Sequence, residues 1–109
     1  MKKYTIGYYN EAVERQILNL PRTIAMKYIH TTELLEEFGG NLGLPLSKAL
    51  GAGLFELRLK GQEGIARVFY CTIIGKKIIM LHSFIKKTDK IPKKELEVAK
   101  TRKRSIEND

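Results

Sequence analysis

Apolar residues recur with two different spacings along this chain, and the change falls in the glycine-containing segment 41–53. Before that segment the spacing is three or four residues, which is typical of helices with one buried face. The apolar residues with this spacing are Val13, Ile17, Leu20, Ile24, Tyr28, Leu35 and Phe38. Pro21 divides them into two helices, Asn10 is a suitable N-cap for the first, and Gly39-Gly40 ends the second.

Beyond the segment 41–53, which we expect to be a loop, the spacing changes to two and predicts strands. These strands are Leu54–Lys60, Ile65–Ile74 and Ile78–Ile85. Strand-forming residues at 4–9 predict one earlier strand, and a basic helix of about residues 92–107 begins at Pro92. We therefore expect an α+β fold of order β-α-α-β-β-β-α, with an antiparallel sheet packed on helices.

The 109 residues, 43% of them hydrophobic, suit a single domain covering 1–109. No apolar run is long enough to predict a membrane span, so we expect no membrane partner. Two lysines near the start precede no apolar signal core, and Cys71 is the only cysteine. Neither export nor a disulfide is therefore indicated, and we expect a cytoplasmic protein.

The formal net charge of +8 is the feature that most restricts function. Residues 86–104 contain nine basic and three acidic side chains, so this segment accounts for six of the eight charges. Such a balance favours a polyanionic partner, either nucleic acid or an anionic membrane surface, and charge alone does not choose between them.

Arg67 is the most informative single residue, because it lies in an otherwise apolar strand where an unpaired cation would be costly. One interpretation is a structural ion pair with Glu56 on the neighbouring strand. The other is a clamp for a phosphate, which suits the planar fork of guanidinium donors. Arg58 and Lys60 share the polar face of their strand with Glu56 and extend the possible phosphate-binding surface.

The last strand ends in a histidine, an aromatic ring and two cations, namely His82, Phe84, Lys86 and Lys87. Phe84 is two residues from His82 and therefore on the same strand face. Its ring is either part of the core or a platform on which an unstacked base stacks. Further basic residues are candidate RNA contacts: Lys60, Lys90, Lys93 and Lys94.

Several classes of enzyme are excluded by what the sequence lacks. It has no metal-ligand spacing, no phosphate-binding glycine loop and no serine elbow, so we expect neither a metal nor a cofactor. A basic site with few carboxylates most naturally cleaves RNA, whose own 2′-hydroxyl is the nucleophile. The protein then has only to position the phosphate, move protons and stabilise charge.

Four segments in order resemble one protein family. They are Leu42–Leu50, Gly53–Arg58, Arg67–Tyr70, and His82–Thr88 with Pro92 and the helix through Glu95 and Ala99. Over roughly residues 4–104 the chain resembles the phage-derived Gp49-like branch of the RelE/HigB toxin superfamily. The resemblance implies a RelE-like, compact microbial RNase-type fold and the toxin of a type II toxin-antitoxin system. Such a toxin cleaves translated mRNA on the ribosome and is inhibited by a cognate helix-turn-helix antitoxin of the HigA type.

The resemblance also implies roles for individual residues. Arg67 matches the arginine that contacts the scissile phosphate, and Arg58 matches a basic position on the preceding strand. Lys86 and Lys87 match the basic pair after the last strand, where a transition-state stabiliser or proton donor is expected. Glu56 replaces a basic residue of other members, and Lys60, His82 and Lys86 remain alternative general bases. The alternative function is a catalytically degenerate module that binds RNA, DNA or the antitoxin through the same basic surface.

Overall fold

The computed structural model describes residues 2–73, 75–87 and 90–108. Its elements in chain order are β1 (Thr5–Tyr8), α1 (Glu11–Leu18), α2 (Arg22–Phe38), β2 (Ser47–Gly51), β3 (Leu54–Gly61), β4 (Gly64–Ile73), β5 (Lys77–Ile85) and α3 (Lys93–Glu107). The α+β class, the two early helices, the three later strands and the basic last helix are as the sequence predicts. Ile74, the expected end of one strand, lies outside the described residues.

Five strands form one sheet in the order β1-β5-β4-β3-β2, and two of its features differ from the prediction. The expected loop at 41–53 contains β2, an edge strand that pairs antiparallel with β3 through a turn in which Gly51, Ala52 and Gly53 all have positive φ. In addition, β1 pairs with β5 in parallel, so the sheet is mixed. Two helices and three strands separate β1 from β5. Because this connection is long, β1 can pair with β5 in either the parallel or the antiparallel direction.

Helices α1 and α2 cover one face of the sheet and bury the main core against it. The Asn10 side chain accepts a 2.9 Å hydrogen bond from the amide of Val13, and so caps α1 as expected. The buried stripe of α2 is Ile24, Tyr28, Thr31 and Leu35. Phe38 was expected on that stripe but is 65% exposed, because the stripe ends one turn before the helix does.

The first turn of α2 is anchored to the β3–β4 hairpin. The carboxylate of Glu63 accepts hydrogen bonds from the amide and hydroxyl of Thr23, and this hydroxyl accepts one from the amide of Gln62 at 2.8 Å. Glu63 therefore caps a helix distant in sequence. A Cβ on Gly61 would approach the backbone nitrogen of Ile24 to 2.9 Å, so only glycine permits this close contact.

The opposite face of the sheet is covered at one end only, by α3. Ala99 is buried there in a second cluster with Leu54, Phe69 and Leu81. No helix covers the other end of that face within the described residues, and the ends of β3, β4 and β5 are accessible there. No described helix has the length and apolar character needed to cross a membrane.

Strand β5 contains a bulge at Leu81. Phe69 of β4 pairs with His82, whereas the next residue, Tyr70, pairs with Met80, so Leu81 is an extra residue in β5. Its carbonyl accepts a 2.7 Å hydrogen bond from Nη1 of Arg102 in α3. The carbonyl group at the bulge thus receives its hydrogen bond from the helix that covers it.

Candidate functional site

The uncovered end of the sheet forms a cleft of about 460 Å³, which we call the basic cleft. The residues that line it are Lys27, Pro45, Leu46, Arg58, Lys60, Ile65, Arg67 and Lys86. The strands supply Arg58, Lys60, Ile65 and Arg67, and Lys86 follows the end of β5. Four of the candidate residues from the sequence, Arg58, Lys60, Arg67 and Lys86, are therefore brought together.

Strand register explains why these cations meet. Arg58 and Arg67 are directly paired across β3 and β4, so their side chains leave the same face side by side. The amide of Lys86 donates a 2.7 Å hydrogen bond to the carbonyl of Ile65, which extends the pairing of β5 beyond its last strand residue. Residues far apart in sequence are thus fixed by backbone hydrogen bonds at one end of the sheet.

The structure confirms one of the two interpretations of Arg67, the ion pair with Glu56. Its Nη1 donates a 2.8 Å hydrogen bond to Oε2 of Glu56, and Nε of Arg58 approaches Oε1 of the same carboxylate at 3.3 Å. Glu56 is completely buried, and the side chain of Arg67 is 6% exposed. The expected ion pair is therefore present, and it holds Arg67 in the wall of the basic cleft.

The contacts with Glu56 leave some N–H donors of the Arg58 and Arg67 guanidinium groups without a described hydrogen bond. Nε of Arg67 is buried and has no hydrogen-bond partner among the described residues, a costly state that a bound acceptor would relieve. Arg58, whose side chain is 37% exposed, uses only Nε in its described hydrogen bonds. Five cationic side chains line the cleft and one carboxylate lies beneath them, which gives a formal charge of +4. Such a site favours an anion with several acceptor oxygens.

The structure adds Lys27, Pro45, Leu46 and Ile65, which sequence analysis did not assign to the site. Lys27 lies four residues after Thr23, hence on the face of α2 that is anchored to the β3–β4 hairpin. This anchoring depends on a contact forty residues away in sequence, and no local pattern shows it. A weak signal did exist for β2, the strand that follows Leu46, since glycines flanking residue 52 are typical of a hairpin turn at the end of a strand.

Three other candidates lie outside the basic cleft. Phe84, Lys87 and Lys94 line a neighbouring depression of about 320 Å³, which we call the Phe84 depression. The ring of Phe84 stands 5.5 Å from that of Phe69, on the second core cluster. Lys86 and Lys87 are therefore separated, although they are adjacent in sequence.

His82 also lies away from the basic cleft, between the sheet and α3. Its Nε2 lies 3.1 Å from Oε1 of Glu95, and its side chain is 13% exposed. This contact connects the sheet to α3. Lys90 and Lys93 are exposed and line neither cavity. Thr88, the last residue of the recognised segment, lies outside the described residues.

The buried hydroxyl and thiol groups of the core have no part in the basic cleft. Burial raises the pKa of Tyr70 to about 12, and its hydroxyl donates to the carbonyl of Gly40. Burial also raises the pKa of the Cys71 thiol, which disfavours the reactive thiolate. Among the described residues no group of three His, Cys, Asp or Glu side chains is placed to hold a metal ion.

Comparisons with known proteins agree with this architecture. The family model described as phage-derived protein Gp49-like matches residues 15–104. Among solved structures, the chain is similar to an archaeal RelE–RelB complex from Pyrococcus horikoshii OT3, with a TM-score of 0.51 and 17% identity. That match covers 78% of this chain and 97% of the other. The comparison with curated proteins found no match.

The family match covers most of the chain, and the structural match shows the RelE-type fold. The family match confirms the resemblance to the Gp49-like family seen in the sequence, and the structural match confirms the expected RelE-like fold. The chain belongs to the phage-derived Gp49-like family.

Proposed function

We propose that this protein is the toxin of a type II toxin-antitoxin system and an endoribonuclease that cleaves translated mRNA on the ribosome. The observation that supports this most strongly is Arg67: its side chain is held by Glu56 in the wall of a cleft of formal charge +4, and its buried Nε has no hydrogen-bond partner among the described residues. Family and fold support the same function, since both are those of RelE/HigB-type toxins.

In the proposed reaction the scissile phosphate binds between Arg58 and Arg67. The 2′-hydroxyl attacks the adjacent phosphorus in line, and the 5′-oxygen of the next nucleotide leaves. The charge that develops on the phosphate oxygens is stabilised by guanidinium groups already oriented by Glu56, so little reorganisation is needed. RNA supplies the nucleophile, and the proposal involves no metal or cofactor.

Proton transfer is assigned within the basic cleft. Lys60 and Lys86 both line it, whereas His82 is held by Glu95 outside it, so we place the general base and the leaving-group stabiliser on the two lysines. Lys87, Phe84 and Lys94 bind a neighbouring part of the RNA strand in the Phe84 depression. Lys90 and Lys93 are proposed as outer RNA contacts, where salt screens their effect.

The inhibitory partner is proposed to be a small helix-turn-helix antitoxin of the HigA type, and the site of action the cytoplasm. The structural neighbour is a RelE–RelB complex, which supports an antitoxin partner for this fold. The protein as proposed acts as one domain over residues 1–109.

Induced expression in bacteria, with 5′ ends mapped on a translated message, tests this proposal. The wild type should arrest growth and produce new ends inside translated codons. Arg58→Met and Lys86→Met should each lower cleavage by roughly 10²-fold or more, because each removes a donor from the transition state. Lys77→Met is the matched control, since Lys77 is exposed at the opposite end of β5 and lines neither cavity.

Two outcomes would contradict the proposal. Folded wild-type protein that produces no new ends would indicate a degenerate RNA-binding or antitoxin-binding module instead. Equal cleavage by Lys77→Met and Lys86→Met would remove Lys86 from the site.

A further inference from the structure

The basic cleft contains more apolar surface than a phosphate site needs. Pro45, Leu46 and Ile65 line it together with the cations. Leu46 and Ile65 are half-buried and Pro45 is exposed, so each leaves surface accessible to a ligand. We call these three residues the apolar wall. An anion gains no binding free energy from apolar surface, whereas the flat face of a nucleobase gains it by leaving water.

The apolar wall is fixed in place before any ligand binds. The amides of Leu46 and Ser47 donate to the carbonyl of Gly43 at 3.1 and 3.0 Å, which closes a tight turn around Pro45. Ser47 is fully buried, and its hydroxyl accepts a 3.1 Å hydrogen bond from the amide of Leu42. A preformed wall of this kind binds a ligand without the cost of ordering a loop.

The wall is also joined directly to the phosphate-binding residues. The amide of Arg58 donates a 3.0 Å hydrogen bond to the carbonyl of Leu46, and the amide of Lys86 donates to the carbonyl of Ile65. Two of the three apolar residues, Leu46 and Ile65, are thus backbone partners of a cationic residue. This arrangement matches a nucleotide, in which an apolar base is covalently linked to an anionic phosphate.

Lys27 reaches the same cleft from α2, whereas the other cations come from the sheet or its end. No ion pair joins it to a carboxylate within the described part of the chain. Its ammonium group therefore has donors available for acceptors on a base edge. The volume of about 460 Å³ lies within the usual ~300–1,000 Å³ range of small-ligand sites.

We propose that Pro45, Leu46 and Ile65 form a binding subsite for one nucleobase of single-stranded RNA, and that Lys27 donates a hydrogen bond to the edge of that base. The base belongs to the nucleotide whose phosphate lies on Arg58 and Arg67. This proposal rests on the proposed function, since it takes RNA as the ligand. The subsite is distinct from the Phe84 depression, because none of these residues lines that depression. Phe84 belongs to β5 and pairs there with Arg67 of β4.

Titration of the protein with three probes, inorganic phosphate, ribose 5-phosphate and uridine 5′-monophosphate, tests the subsite by NMR or calorimetry. The mononucleotide should bind roughly tenfold more tightly than ribose 5-phosphate, a ratio that reports the base alone. Leu46→Ala and Ile65→Thr should bring this ratio close to one while phosphate still binds. Leu44→Ala is the matched control, because Leu44 is exposed, two residues from Leu46, and does not line the cleft.

Each contrary result has a separate meaning. If the mononucleotide and ribose 5-phosphate bind equally, the base subsite is wrong and the phosphate site stands. If no probe binds, the phosphate site of the proposed function fails and the subsite with it. Lys27→Met should weaken mononucleotide binding more than ribose 5-phosphate binding, and equal weakening would exclude Lys27 from the base edge. Equal effects of Leu44→Ala and Leu46→Ala would also overturn the subsite.

Discussion

The buried ion pair between Glu56 and Arg67 predicts that removing one partner is far more harmful than removing both. Arg67→Met leaves a fully buried carboxylate whose remaining described ion-pair partner is Arg58, at 3.3 Å. Loss of one member of a buried pair costs about 3–5 kcal/mol, and the retained Arg58 contact places this case near the lower limit, about 3 kcal/mol. For a domain of this size the Tm should fall by roughly 12–15 °C.

The double variant Glu56→Met/Arg67→Met removes both charges and keeps similar volume. It should lie within about 1 kcal/mol of the wild type, because apolar replacements of a buried pair are often neutral. Arg58 tolerates the loss of Glu56, since its side chain is 37% exposed and can be hydrated. The coupling free energy between the two sites should therefore be roughly 3 kcal/mol or more.

Urea unfolding of the four proteins of this cycle, followed by circular dichroism, measures the coupling. Additive effects, with the double variant as unstable as the sum of the singles, would refute the account of Glu56 and Arg67. The double variant also separates stability from activity. It should be folded yet unable to cleave RNA, and restored cleavage would remove Arg67 from the proposed mechanism.

Three further predictions concern single side chains. Hydrogen bonds from Thr23 hold the pKa of Glu63 below its usual value of about 4.3. The ionised Glu63 therefore stabilises the fold above that pH, and this stabilisation is lost as the pH falls through the lowered pKa. The difference in Tm between wild type and Glu63→Ala should thus be present at neutral pH and vanish in strong acid, and a constant difference would contradict the cap. Asn10→Ala should lower the free energy of unfolding by about 1 kcal/mol in denaturant titration, because the cap on Val13 is lost, and no change would show that the cap is dispensable. The buried Cys71 thiol, whose pKa is raised, should react with a thiol reagent only at the rate of protein opening; rapid labelling of folded protein would contradict its burial.

The sequence predicted those elements whose pattern is local. The two helices, the three strands from Leu54 onward and the last helix each have a clear period and clear end signals. β2 lacks a clear period, because only Ser47 of its five residues is buried. The parallel direction of β1 depends on pairing with a strand about seventy residues away, and no local pattern contains that information.

The candidate site was predicted to a similar extent. Alternation and register were enough to bring Arg58 and Arg67 together, and the ion pair with Glu56 was one of the two stated interpretations. Lys27 was not found, since its position depends on the contact between α2 and the β3–β4 hairpin. Lys87 and Phe84 were grouped with the cleft because they are close in sequence to Lys86. The structure separates them from Lys86, because Phe84 packs on the cluster beneath α3 and lines the Phe84 depression together with Lys87, whereas Lys86 lines the basic cleft.

The extra residue at Leu81 determines which face of the sheet the later residues of β5 occupy. Before it, the even-numbered residues Ile78 and Met80 of β5 face α1 and α2; after it, even-numbered Phe84 faces the opposite side. Phe84 pairs with Arg67, and Lys86, two residues further on, lies on this same face and lines the basic cleft. Losing or gaining one residue in the second half of β5 would turn position 86 away from the face that carries Arg67, whereas a change of two would not. The presence of this cation in the cleft thus depends on whether the number of residues in the strand is odd or even, and length changes that keep the cleft intact should come in pairs.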